Sequence, residues 1–319
     1  QRGDKPIVLR VGTRGSRLAI AQTQIAISAL KKAYPKVGFE IITISTKGDV
    51  DKRPLFTMDE KGIFEKEVNE AVADGLVDFA VHSLKDIPSA LSSGLVVASI
   101  PKRARPNDVL VNGKDLMLKE MAAGSVIGTS SLRRAVQIMY RRPDLVVRPI
   151  RGNVETRVKK VISGDYDAAI LAEAGLFRLG MKDVIAERFD VRDFVPAPGQ
   201  GAIAIVCKKG RKDLIRILQY IEDSESRAEV SAERALLEKI QGGCRFPIGA
   251  VAISSGPRMT MYASVSSSDG KQFIRAKSSG KIDNPERLGV AIADKLVESG
   301  AMELASGWRN AVEEWNRKL

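Results

Sequence analysis

The sequence predicts an α/β protein: two α/β lobes sharing a hinged cleft, followed by a small α+β C-terminal region. Three observations lead there. Short apolar, β-branched runs at 7–11, 39–45, 77–81 and 95–100 alternate with helical patterns, and a second such set follows at 109–111, 126–127, 145–147 and 168–171. Proline-punctuated segments at 101–106 and 194–198 read as two crossovers between the sets. From residue 224 the order changes to one helix, three strands and further helices, the pattern of an α+β unit. The run 201–207 has no partner in the second set, so it is expected to return to the first sheet. The expected division is 1–101 with 199–222, then 102–198, then 223–319.

Each element has a local reason. Residues 7–11 form a strand, and Gly12-Thr-Arg-Gly-Ser16 reads as a turn with a capping serine. A helix over 18–34 stops near Pro35. The polar stretch 46–60 carries Gly48 and Pro54 and reads as a mobile loop that can serve as a lid. Gly62-Ile-Phe64 opens a helix to about residue 73, and the strand 77–81 ends at His82-Ser-Leu-Lys-Asp-Ile-Pro88. In the second set, helices start near Ser131, Asn153 and Glu173. In the last region a helix over 224–240 precedes a tight turn, Gly242-Gly-Cys-Arg-Phe-Pro247. Strands at 250–254, 259–265 and 273–277 follow, with helices from about 286 and 301.

Composition bounds the function. With 319 residues, 44% hydrophobic and 28% charged, the chain reads as an ordinary globular protein of two or three domains. No apolar run approaches the ~20 residues of a membrane span, and no secretory leader is read. Two cysteines argue against a disulfide framework and for a reducing, cytoplasmic setting. One histidine excludes a His-rich metal site, and no metal is expected. The net charge of +12 admits three partners: nucleic acid, an acidic membrane surface or a polyanionic small substrate. Aromatics at 5% speak against a base-stacking single-strand binder.

The strongest candidate is Gly128-Thr-Ser-Ser-Leu-Arg-Arg-Ala135. It reads as a strand running into a helix N-terminus, with Ser130 or Ser131 as cap, and such a terminus favours anions. Arg133 and Arg134 lie in the first turn, where the helix dipole disfavours cations, so an anion is expected beside them. Arg151 and Arg157 in Arg151-Gly-Asn-Val-Glu-Thr-Arg157 repeat the arrangement. A solvated basic face is the alternative for any single arginine. Arg14 and Ser16 form a further anion-binding terminus, and Arg17 reads as surface charge. Asp86, beside Lys85, is the best single acid: among basic neighbours it can stabilise a developing cation or pass protons. His82 reads as a hydrogen-bonded histidine near the core, and Phe64 as a packing residue. Cys244 follows two glycines that allow close backbone approach, and Arg245 favours its thiolate; a packed thiol is the alternative. Cys207 ends an apolar run and reads as structural.

Taken together these residues resemble the hydroxymethylbilane synthase (porphobilinogen deaminase) family. The matching segments are Gly12-Thr-Arg-Gly-Ser16, Lys61-Gly-Ile-Phe64, Val81-His-Ser-Leu-Lys-Asp-Ile-Pro88, Gly128-Thr-Ser-Ser-Leu-Arg-Arg134 and Arg151-Gly-Asn-Val154. Leu171-Ala-Glu-Ala-Gly-Leu176, Pro196-Ala-Pro-Gly-Gln-Gly-Ala202 and Gly242-Gly-Cys-Arg-Phe-Pro-Ile-Gly249 complete the series. The resemblance implies two periplasmic-binding-protein-like (type II) domains and a third that carries a cysteine loop. It implies a dipyrromethane cofactor joined by a thioether to Cys244. Four porphobilinogen units are then added head to tail with loss of ammonia, and hydroxymethylbilane is released by water. Asp86 matches the family's catalytic carboxylate. The positions matching cofactor contacts are Ser83, Lys85, Thr129, Ser130, Ser131, Arg133, Arg134, Arg151, Gly152, Arg157 and Gln200. Those matching substrate contacts are Arg14, Ser16, Gln22, Phe64, Ala172 and Arg178. The resemblance further implies a cytoplasmic monomer acting on porphobilinogen and its linear oligopyrrole chain, without nucleic acid or membrane.

The charges agree with that chemistry, because porphobilinogen brings two carboxylates and arginine binds carboxylates in bidentate fashion. Some positions depart from the family pattern: Arg17 where proline is usual, Asp59 and Glu60 where glycines are usual, Glu173 in place of a small or apolar residue, and Phe246 beside the cysteine turn. Two other classes compete. A solute-binding protein accounts for two lobes but not for the Cys244 turn, and a nucleic-acid binder accounts only for the charge.

Overall fold

The computed structural model describes residues 7–46, 65–88, 90–240, 247–308 and 311. The described chain divides into two compact units. One takes residues up to 46, 65–104 and 202–227, and the other takes 105–201 and 228 onward.

The first unit is built on a five-stranded sheet. β1 (Val8–Arg14) pairs in parallel with β2 (Gly38–Ile44) and with β3 (Phe79–Ser83). Next to β3 lies β10 (Ile203–Lys208), antiparallel both to it and to β4 (Leu95–Ser99), so the order is β2-β1-β3-β10-β4. The expected return of the 201–207 run to this sheet is therefore observed. β10 is buried along nearly its whole length, which is why its sequence is a continuous apolar run rather than an alternating one. Helix α1 (Arg17–Ala33) buries Gln22, Thr23, Ala26, Ile27 and Leu30, one stripe at helical spacing. Helices α2 (Lys66–Asp74) and α6 (Lys212–Leu218) complete the described α-helices of this unit apart from the start of α7 (Ser224–Ile240).

The second unit repeats the plan. β6 (Val126–Gly128) pairs in parallel with β7 (Val146–Arg148) and β8 (Ala168–Ala172), and β5 (Asp108–Val111) runs antiparallel between β8 and β9 (Ile185–Arg188). The order is β7-β6-β8-β5-β9. In both sheets the antiparallel strand is the first one the chain makes after a crossover. This shared arrangement is the one expected of two type II binding-protein-like domains. Helices α3 (Leu132–Arg141), α4 (Val154–Ile162) and α5 (Glu173–Arg178) start where the sequence predicts.

The same unit contains an antiparallel sheet of β11 (Ile248–Ser255), β12 (Arg258–Ser266) and β13 (Phe273–Lys281). Its core joins Met259, Met261 and Val265 to Leu236 and Ile240 of α7 (Ser224–Ile240) and to Ile292 and Leu296 of α8 (Pro285–Glu298). Trp308, just after α9 (Ala301–Ser306), is buried against it and donates its indole N–H to Ser266 O at 2.8 Å.

Three local expectations change. Gly12-Thr-Arg14 is not a turn but the end of β1, in register with Ile42, Thr43 and Ile44. Gly12 serves close packing there, because a Cβ would come 2.9 Å from Val77 Cγ2. β9 was not anticipated: its Ile-Ala-Glu-Arg sequence is short and mixed in polarity. The expected strand 77–81 begins two residues later, at Phe79, and continues to Ser83. The expected loop beyond Thr46, the helix start at 62–64 with Phe64, and the 242–246 turn with Cys244, Arg245 and Phe246 lie outside the described residues, as do Asp59 and Glu60. Among the described residues, no helix is long and apolar enough to cross a membrane.

Candidate functional site

In the first unit the singled-out residues gather at the carboxyl ends of parallel strands, where α/β sheets place ligands. Arg14 ends β1, and Ser16 follows it as the cap of α1, accepting from the Ala19 N–H at 3.2 Å. Ser83 ends β3 and donates to Gln22 Oε1 at 3.0 Å, so these two expected contacts stand side by side. The chain then makes one 3₁₀ turn over Leu84–Asp86. Leu84 and Ile87 are buried, the Leu84 N–H donates to Ala202 O at 3.0 Å, and the Ile87 N–H donates to Leu84 O at 3.1 Å. Anchored on both sides, the turn holds Lys85 and Asp86 exposed.

His82 is buried one residue earlier, with Nε2 3.0 Å from Asn69 Oδ1. Burial, helped by the charge of Arg14, pushes its imidazole down to about 4, so it is neutral at physiological pH. That is the hydrogen-bonded core histidine the sequence suggests.

In the second unit the strand ends again carry the candidates. Thr129 follows β6, is fully buried, and accepts from the Ser131 N–H at 3.1 Å. Of the two candidate caps Ser131 is the one used, accepting from the Arg134 N–H at 3.3 Å, while Ser130 Oγ donates to Ile150 O. Arg133 and Arg134 are buried, and the anion expected beside them belongs to the chain itself. Arg133 Nη1 donates to Asp108 Oδ2 at 2.7 Å, and Arg134 Nε donates to Asp108 Oδ1 at 2.8 Å. Gln200 joins this network: its Nε2 donates to Asp108 Oδ1 at 3.0 Å, and its Oε1 accepts from Arg134 Nη2 at 3.2 Å. The two guanidinium groups hold the Asp108 carboxyl at about 2 despite its burial.

Arg151 and Arg157 differ from that pair. Both are half-buried. Arg157 Nε donates to Gly152 O at 2.8 Å. Burial, then the charges of Arg134 and Arg151, push the Arg157 guanidinium down to about 10. Gly152 is required as glycine: its φ is +109°, and a Cβ would lie 2.5 Å from Thr156 Cγ2. Ala172 ends β8 and leads into α5, which carries Arg178. Arg178 Nη2 donates to Gly201 O at 2.6 Å, and burial lowers its guanidinium to about 10.

Three buried acids escaped the sequence reading. Asp108 heads an apolar strand, and two arginines in need of an anion were the available signal. Glu233, fully buried on α7, accepts from the Gly199 N–H at 2.6 Å and the Ala252 N–H at 2.9 Å. Glu65 is buried at the start of α2, and burial, with Asp86 and Glu67 nearby, pushes its carboxyl up to about 7 against the pull of its own backbone N–H and of Arg14. Cys207 is fully buried in the first sheet's core, and burial pushes its thiol up to about 11, as fits a structural cysteine.

Comparison with known proteins shows the family. The family model described as "Porphobilinogen deaminase, dipyromethane cofactor binding domain" matches residues 9–216, and "Porphobilinogen deaminase, C-terminal domain" matches residues 227–298. The chain is 53% identical to the probable porphobilinogen deaminase of Nitrosopumilus maritimus, covering 96% of this chain and 98% of that protein. It is 44% identical to the probable porphobilinogen deaminase of Hyperthermus butylicus (92% and 98% covered) and 43% identical to the porphobilinogen deaminase of Desulforudis audaxviator (92% and 96% covered). Among solved structures, the second substrate-binding domain of Lactococcus lactis GlnP is similar with a TM-score of 0.43 at 12% identity, covering 74% of this chain and 90% of that one. The chain belongs to the porphobilinogen deaminase family.

Proposed function

We propose that this chain performs the hydroxymethylbilane synthase reaction (EC 2.5.1.61). Four porphobilinogen molecules are joined head to tail, one ammonia leaves at each joining, and hydrolysis releases hydroxymethylbilane for tetrapyrrole biosynthesis. The observation that carries the site reading is the crowding of Arg151 and Arg157 toward Arg134 at the strand ends of the second unit. Burial, and then the like charges of Arg134 and Arg151, lower the Arg157 guanidinium there, so a polycarboxylate arriving among them relieves the repulsion.

The donor set fits dipyrromethane, whose pyrroles carry acetate and propionate groups. When bound, this cofactor supplies the pyrrole carbon to which the first porphobilinogen is joined. Cys244 is the residue we assign to its thioether. Arg151, Arg157, Arg178 and Lys85 provide charge for its carboxylates, with hydroxyl and backbone donors from Ser83, Thr129, Ser130, Ser131 and Gly152. Arg133, Arg134 and Gln200 contribute as a rigid base under this surface, since both guanidinium groups are already held by Asp108. Arg14, Ser16 and Gln22, with Ala172 and Phe64, are assigned to the incoming porphobilinogen.

Asp86 is assigned the chemistry. Its exposed turn is anchored by Leu84 and Ile87, so the carboxylate keeps its place while the groups before it change. As the C–N bond of porphobilinogen breaks, both electrons leave with ammonia, and the remaining pyrrole carries positive charge that a carboxylate stabilises. Asp86 would also accept the α-proton displaced by C–C bond formation and pass it to solvent.

The separate β11–β13 sheet and the match at 227–298 support the three-domain division 1–101 with 199–222, 102–198 and 223–319. We assign the enzyme to the cytoplasm as a monomer that engages neither nucleic acid nor membrane. The test of the site reading is Asp86→Asn, expected to fold and retain cofactor with turnover nearly abolished. Near-normal turnover removes Asp86 from this role.

A further inference from the structure

Glu173 opens α5, the helix that runs from Ala172 to Arg178, and it stands where the family pattern has a small or apolar residue. It directly follows the buried strand β8, a place where an acid is costly unless it is paired. The pairing is built in. The Glu173 side chain is 1% exposed, and both of its oxygens accept from Arg188 of β9. Arg188 Nε donates to Oε2 at 2.7 Å, and Nη2 donates to Oε1. Arg105 Nη1 lies 4.0 Å from the same Oε1. A two-pronged guanidinium–carboxylate pair fixes orientation as well as position, which an apolar residue at 173 cannot do.

The contacts around Glu173 close into a ring. Its N–H donates to Asn107 O at 3.0 Å, and Asn107 Nδ2 donates to Phe189 O, just after β9, at 2.8 Å. At the far end of α5, Arg178 Nη2 donates to Gly201 O at 2.6 Å. Beside Gly201, Gln200 Nε2 donates to Pro106 O at 2.7 Å. The ring thus runs from 105–107 through Glu173 and α5 to 200–201 and back. Residues 105 and 201 bound this stretch of the second unit. Gln200 has further support from Asp108 and Arg134, and Ala172 is in register with Asp108 in the β5–β8 ladder. For α5 itself, buried Ala174 and Leu176 set its depth, but apolar contact is non-directional. So short a helix, with no side-chain cap, takes its rotation from the planar pair at Glu173.

We propose that Glu173 is a positioning residue for substrate binding: held in two-pronged fashion by Arg188 beside Arg105, it sets the rotation of α5 and thereby the place of Arg178, the arginine assigned above to pyrrole carboxylates. Glu173 touches neither substrate nor cofactor in this role, and no bond of the substrate is made or broken by it. It has no part in the chemistry assigned to Asp86. KM for porphobilinogen therefore depends on the pair, and kcat does not.

The inference rests on the assignment of Arg178, and its test keeps the two apart. KM and kcat for porphobilinogen are measured on the holoenzyme for the natural protein, Glu173→Gln, Arg188→Lys and the double variant. Glu173→Gln keeps the shape and one acceptor, and the partly exposed Arg188 can turn to water, so the fold is expected to hold. Arg188→Lys keeps the charge and loses the fork, so it tests the same pair with the buried carboxylate still neutralised. The expected result is a KM rise of about threefold to tenfold in each single variant, with kcat within about twofold and the double variant no worse than the worse single one. An unchanged KM in the single variants, or effects that multiply in the double variant, overturns the proposal, even where thermal stability falls. If Glu173→Gln fails to fold, Arg188→Lys decides by the same KM criterion. Arg178→Lys separates the two failures. An unchanged KM there removes the Arg178 assignment and the proposal with it. A raised KM there, with KM unchanged in Glu173→Gln and Arg188→Lys, removes the positioning role alone.

Discussion

Asp108 Oδ2 accepts from Arg133 Nη1 at 2.7 Å, with the arginine side chain 8% exposed and the aspartate 0%. The other oxygen of the same carboxylate takes Arg134 and Gln200. One acid at the head of β5 thus pairs with both arginines and offsets one of the two positive charges in the first turn of α3, where cations oppose the helix dipole. Asp108→Asn leaves two buried guanidinium groups short of an anion and is expected to cost about 3–5 kcal/mol in urea unfolding. Adding Arg133→Met to that variant is expected to restore part of the loss, since one unpaired charge disappears with it. Asp108 is held at about 2, below its ordinary 3.8. Its contribution is therefore present above about 3.8 and is lost as pH falls toward 2.

That relationship marks where sequence reading stops. Two arginines in a first helical turn announce an anion, but not whether it is a ligand or a residue 25 positions away. The lobes were legible because buried strands write themselves as apolar runs. The return of β10 to the first sheet followed from pairing arithmetic alone: the second set had no place for it. The end of β1 was missed because Gly12 and Arg14 look like turn residues, and only the packing of Val77 shows why glycine stands in a strand. The acids Asp108, Glu233 and Glu65 were missed for a common reason. A charge tolerated in a core depends on partners distant in sequence, and single-residue patterns carry no record of them.

His82 and Glu65 bear oppositely on acid stability. The imidazole of His82 is lowered from 6.5 to about 4, so the folded state binds fewer protons than the unfolded one between those values. Its neutrality destabilises the fold as pH falls through that window, by roughly 3 kcal/mol in all. Glu65, raised from 4.5 to about 7, makes the fold less stable as pH rises through its own window. The windows overlap and the slopes nearly cancel in the natural protein. Urea unfolding from about pH 4 to pH 7 is expected to show stability falling with pH in His82→Gln and rising with pH in Glu65→Gln. Parallel curves for the two variants contradict this.

Gly152 supports the Arg157 site through shape. Its φ of +109° and the 2.5 Å approach of Thr156 Cγ2 leave no room for a Cβ, and its carbonyl accepts from Arg157 Nε at 2.8 Å. Gly152→Ala is expected to cost about 2–4 kcal/mol and to reduce cofactor retention, measured by thermal unfolding and by mass. Gly164, with φ of +87° and nothing within 4 Å, is the control: its alanine variant is expected to cost only about 1 kcal/mol and to retain cofactor.

Arg157→Lys keeps a positive charge but loses the guanidinium fork. Two-point carboxylate binding is expected to fail, with kcat/KM for porphobilinogen falling about tenfold or more while unfolding is little changed. An unaffected kcat/KM shows that Arg157 serves the fold alone.

The most direct test of the account is the intact mass of the denatured protein before and after incubation with porphobilinogen. An adduct of two linked pyrroles is expected on Cys244, absent from Cys244→Ala and kept by Cys207→Ala, and growing by one pyrrole unit at a time. A mass that stays that of the bare chain, even after exposure to preformed hydroxymethylbilane, contradicts a dipyrromethane-dependent activity.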